Sequence, residues 1–183
     1  NDSYADAGTE SIKLTSERDV EAIEKNIDTF LDKFNGVMDY LQEQMKVDTT
    51  TYSRGALAGE SMVRNLRASL LNNVLSEISG ISDGDPNTLS AIGISLNNDL
   101  HLTVDDSTEL KELITESPTK VAELFQGEFG IATTIYELME EYTETYDGMI
   151  DQRTDVYEDH IEEMDARIDR MTERLEAKEA QYR

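Results

Sequence analysis

From Tyr157 onward the sequence places an apolar residue at alternating steps of four and three: Tyr157, Ile161, Met164, Ile168, Met171 and Leu175, with Tyr182 in the same register. That spacing winds into one stripe along an α-helix and fits no strand. The stripe continues backward through Met149, Tyr146, Tyr142, Leu138 and Ile135, and between residues 131 and 183 the only residue that disfavours a helix is Gly148. The pattern therefore predicts one continuous helix over 131–183, about 75 Å long at 1.5 Å per residue. A helix of that length with a single apolar face needs a partner. The segment expected to supply it, at least in part, is a first helix over 17–46, whose stripe runs Val20, Ile23, Ile27, Phe30, Leu31, Phe34, Met38, Leu41 and Met45.

Between these two lie shorter pieces. Gly55-Ala-Leu-Ala-Gly59 leads into a helix over 61–78 with Met62, Val63, Leu66, Leu70, Val74 and Ile78 on one side and the basic pair Arg64 and Arg67 on others. Residues 79–90, with Gly80, Gly84 and Pro86, read as a loop. The one period-two segment follows. Ile92, Ile94 and Leu96 alternate, Asn97-Asn98-Asp99 offers a turn, and Leu100, Leu102 and Val104 alternate again, which predicts a β-hairpin near 92–104. Asp106 with Glu109 three residues on resembles a capping box, and Pro118 stands where a helix would start. Upstream, Ile12 and Leu14 alternate like the end of a strand, with Ser16 or Asp19 as caps for the first helix. The fold expected is mainly α: long antiparallel helices in a coiled-coil-like bundle with a small hairpin. Residues 1–15 are read as a tail and strand end leading in from a head region, and 16–183 as a helical stem domain.

Charge narrows the function classes. Forty acidic residues face 16 basic ones, for a net charge of −24. Such a chain is unsuited to nucleic acid or an anionic membrane, both of which are bound through Lys and Arg. With no cysteine there is no disulfide framework and no zinc–thiolate site. The two histidines, His101 and His160, are not preceded by Glu at the third position, as a ferritin-like di-metal bundle requires; Asn98 and Tyr157 stand there. Glu140, Glu141, Glu144, Asp151, Asp155, Glu158 and Asp159 fall mainly off the apolar stripe and read as a solvated face. No catalytic residue, cofactor-binding residue or metal ligand is expected.

Five stretches, in order, resemble the flagellar filament-capping family (hook-associated protein 2, FliD). They are Asp19-Val20-Glu21-Ala22-Ile23 leading to Phe34-Asn35; the segment from Gly55 through Arg64 to Arg67; Leu89 to Ile94 with Leu100-His101-Leu102; Ser117-Pro118 through Phe125; and Tyr146-Asp147-Gly148. In the hairpin turn, Asn97-Asn98-Asp99 stands where the family usually has Asp-Gly. The resemblance implies the helical stem near the C-terminal end of a larger chain, which agrees with a sequence that opens on Asn1. It also implies a non-enzymatic, homo-oligomeric cap without cofactor, exported through the flagellar channel to the distal tip. There it would act on flagellin and sit among the hook–filament junction proteins; some such proteins also adhere to host surfaces. Two other readings of the residues stand beside it, an acidic coiled-coil adaptor and a helical-bundle carboxylate metal enzyme.

Overall fold

The computed structural model describes residues 20–82 and 84–183. Among them are six α-helices and one two-stranded antiparallel sheet: α1 (Val20–Met45), α2 (Ser61–Leu75), β1 (Ile94–Leu96), β2 (Leu102–Val104), α3 (Ser107–Glu116), α4 (Pro118–Gln126), α5 (Ile131–Thr143) and α6 (Met149–Tyr182). The strand end expected at Ile12 and Leu14, and the caps at Ser16 and Asp19, lie outside the described residues.

The stripe of α1 does what its spacing predicts. Ile27, Leu31, Phe34, Met38 and Leu41 are all buried, and α1 lies against α2, α3 and β2. Phe30 meets Phe125 of α4 edge-on, ring centres 5.5 Å apart. Local chemistry sets the shorter helices. Asp106 caps α3, its carboxylate accepting from the N–H groups of Thr108 at 2.8 Å and Glu109 at 3.2 Å. Those bonds, Glu109's first, hold the Asp106 carboxyl below its ordinary range. Pro118 opens α4 at a position where its missing N–H has no helical partner to lose.

The hairpin is shorter than its alternation suggests. Ile92 is fully buried but belongs to a single 3-10 turn, Ser90–Ile92, and Gly93 at φ 76° turns the chain before β1 begins. The strands then pair Ile94 with Val104, Ser95 with Thr103 and Leu96 with Leu102. The side-chain oxygen of Asn97 accepts from the N–H groups of Asp99 and His101 and closes the turn, while Leu100 takes a left-handed φ of 64°.

One amide of α1 pairs with the outer edge of the hairpin. Asn35 donates from Nδ2 to the Leu102 carbonyl at 3.0 Å and accepts from the Leu102 N–H at 2.8 Å. One turn further, His101 Nε2 meets Asp39 Oδ1 at 2.8 Å. Asn35→Ala leaves both backbone groups of a buried residue unpaired, at a cost of about 1–3 kcal/mol. A lower urea midpoint with an unchanged slope is the expected result; an unchanged midpoint would refute the role given to Asn35.

Two expectations about the last third are overturned. The chain is not one helix over 131–183: α5 stops at Thr143 and α6 starts at Met149. Residues 144–148 form a tight corner. The Glu144 carbonyl accepts from the Gly148 N–H at 2.8 Å, Asp151 Oδ2 accepts from the Tyr146 N–H at 2.8 Å, and Tyr146 adopts a φ of 80°. A β-carbon at Gly148 would lie 2.4 Å from the Glu144 carbonyl oxygen, so close approach, not helix breaking, sets the glycine there. Nor does α1 cover the stripe of α6. The face of α1 is already filled by α2, α3 and β2, and the helix that α6 packs on most, near its start, is α5.

Candidate assembly surface

Not one residue of α6 is buried. The predicted stripe is present and faces water: Tyr157 is 44% exposed, Ile161 54%, Ile168 59% and Leu175 67%. From Tyr157 to Tyr182 this ridge spans about 38 Å at 1.5 Å per residue. Every side chain on it is one that a helix–helix contact would bury, at about 1.5–3 kcal/mol for each fully covered aliphatic residue. Its two flanks differ in charge. In the heptad register of the ridge, one edge carries Glu158, Asp165 and Glu179 and the other His160, Arg167 and Arg174. In a chain of net charge −24 a basic edge is a local feature.

Other groups have structural neighbours. Of the acids read as a solvated face, Asp151 instead holds the corner through the Tyr146 N–H, whereas Glu140, Glu141, Glu144, Asp155, Glu158 and Asp159 are exposed. His101 and His160 lie on separate elements, β-turn and α6, and among the described residues no three His, Asp or Glu side chains gather around a common point. A groove of about 330 Å³ between α1 and α4, lined by Ile23, Phe30, Val121 and Phe125 among others, contains no titratable side chain. Among the described residues no helix is long and apolar enough to cross a membrane. Sequence reasoning passed over Glu60, Asp39 and Arg153. Their bonds reach 62 to 97 residues along the chain, and spacing carries no signal at that range. Asn35 enters the sequence reading only within the Phe34-Asn35 pair of the family resemblance.

A small helical domain whose longest helix leaves it with an uncovered apolar ridge is a packing module, since ridges of this extent in water mark protein–protein contacts. The family is shown by comparison: the model for the flagellar hook-associated protein 2 C-terminus matches residues 3–183, and the chain belongs to that family. It is 29% identical to the B-type flagellar hook-associated protein 2 of Pseudomonas aeruginosa over 171 residues, covering 91% of this chain and 35% of that protein. It is 31% identical to the flagellar hook-associated protein 2 of Thermotoga maritima over 169 residues, covering 79% of this chain and 26% of that one. The chain thus spans about a third or less of these relatives. In fold it is similar to the crystal structure of the D1-D2-D3 domains of the flagellar cap protein FliD from Escherichia coli, with a TM-score of 0.64 at 24% identity over 76% of this chain and 37% of that one.

Proposed function

We propose that residues 16–183 are the stem of a flagellar filament cap at the distal tip of the flagellum, with a homo-oligomeric whole protein that promotes flagellin assembly and is exported through the flagellar channel. The observation that carries this reading is the α6 ridge, uncovered along its length in a chain whose family match runs almost end to end. A catalyst would need a pocket with converging polar groups, whereas a cap works through surface and shape. In this reading α6 is a rod that packs against a helix from outside these 183 residues. That helix carries acids opposite Arg167 and Arg174, and bases opposite Asp165. The partners are other copies of the whole protein, flagellin and the hook–filament junction proteins. The stem uses no cofactor, and neither nucleic acid nor membrane is a partner.

The test is made in cells. A strain lacking the whole protein should export flagellin and leave it unpolymerised in the medium, and the returned gene should restore filaments. The gene carrying His160→Gln should restore them equally, because no chemistry is assigned to that side chain. Normal filaments in the deletion strain, or lost motility with a folded His160→Gln protein, would overturn the cap reading.

A further inference from the structure

Among the described residues, the distant side-chain bonds of α6 end on one residue. Glu60 precedes α2 and occupies its N-cap position, yet its carboxylate does not cap that helix. It is turned instead toward α6. Arg153 donates from Nε to Glu60 Oε2 at 2.9 Å and from an η-nitrogen to Oε1 at 3.3 Å, a two-point grip on a carboxylate that is largely covered. The Tyr157 hydroxyl donates to the same Oε1 and accepts from Arg153 at 3.2 Å, and the Arg153 guanidinium lies 4.7 Å over the Tyr157 ring centre. The hydrogen bonds from Arg153, then that from Tyr157, hold Glu60 below the ordinary carboxylate range. Beyond Tyr157 every residue of α6 is exposed, so among the described residues nothing buries the helix past this point.

We propose that Glu60, Arg153 and Tyr157 form a latch that fixes the direction in which α6 leaves the domain. The 144–148 corner sets where α6 begins but touches only its first turn. A rod anchored at one end is free to swing, and the latch grips it one and two turns further along. The lever is long: α6 runs about 50 Å from Met149 to Tyr182, and a swing of 10° at its base moves the tip by about 9 Å and residue 173 by about 6 Å. That exceeds the spacing of one helical turn, enough to take an apolar ridge out of register with whatever it meets. The geometry needs Arg and not Lys at 153, because only a guanidinium takes both carboxylate oxygens and stacks on the ring at once. The latch is a property of the chain alone and does not depend on the cap reading.

Pulsed electron–electron resonance tests it. The 183-residue chain has no cysteine, so Glu112→Cys on α3 and Glu173→Cys on α6 give a unique pair of nitroxide sites. Labelled chain is diluted in excess unlabelled chain to remove distances between copies. The parent should give one narrow distance distribution. Glu60→Ala and Arg153→Ala should each widen it by about 6 Å, as a 10° swing requires, with unchanged far-ultraviolet helicity. Arg153→Lys should be intermediate, and the exchanged pair Glu60→Arg with Arg153→Glu should narrow it again. An unchanged width in both alanine variants would overturn the latch. So would widening accompanied by lost helicity, because α6 would then be melting, not swinging.

Discussion

Replacing Ile161, Ile168 and Leu175 by Gln should leave the domain as stable as before and abolish its use in assembly. All three are more than half exposed, and Gln is about as good a helix former as the residues it replaces. The melting midpoint of the chain should therefore barely move. In the whole protein each change removes an apolar contact worth about 1.5–3 kcal/mol when fully buried, and three together exceed what a helix pairing of this length can spare. Cells carrying the triple variant should secrete flagellin without polymerising it, and the purified whole protein should be altered in sedimentation. A large fall in the domain's own midpoint would mean that the ridge is internal packing. Normal filaments would mean that it is not an assembly surface.

Gly148→Ala should destabilise the domain by overpacking the corner between α5 and α6. The added carbon would meet the Glu144 carbonyl oxygen at 2.4 Å and the Glu144 nitrogen at 2.8 Å, and both are backbone atoms that cannot rotate away. Overpacking of this kind costs about 1–3 kcal/mol. Gly148→Pro keeps a tolerable φ, since the native value is −65°, but also removes the N–H that the Glu144 carbonyl accepts. It should be worse than Ala. The measurement is urea unfolding of the two variants beside the parent. Equal stability of Ala and parent would show that the corner relaxes, and the account of its tightness would then be wrong.

The corner also shows where sequence reading stops. Pro118 and Asp106 announced their helices because a residue's own chemistry starts a helix. The stripes of α1 and α2 were legible because burial follows period. The break at 144–148 has only Gly148 as a signal, too weak to end a helix by itself: Tyr146 is left-handed without being Gly or Asn, and the chain turns there because α5 packs against α2 and α4 while α6 departs. Ile92 erred in the opposite direction. It alternates with Ile94 and is equally buried, but Gly93 between them has a φ that a strand cannot carry. For the candidate surface, periodicity located every ridge residue from Tyr157 to Leu175. It could not tell what covers them, because an apolar stripe is written the same way whether its partner is in the chain or outside it. The latch was illegible for a different reason: Glu60 and Arg153 are ordinary charged residues until the fold puts them together.

Asn35 has a consequence beyond stability. In a two-stranded sheet each strand has an outer edge, and an open edge is a template on which a second chain can add a strand. At Leu102 that template is already occupied, because the Asn35 amide supplies the donor and acceptor that an incoming strand would bring. A helix side chain thus stands in for the missing third strand. This leaves less open backbone on β2 for a second strand to pair with.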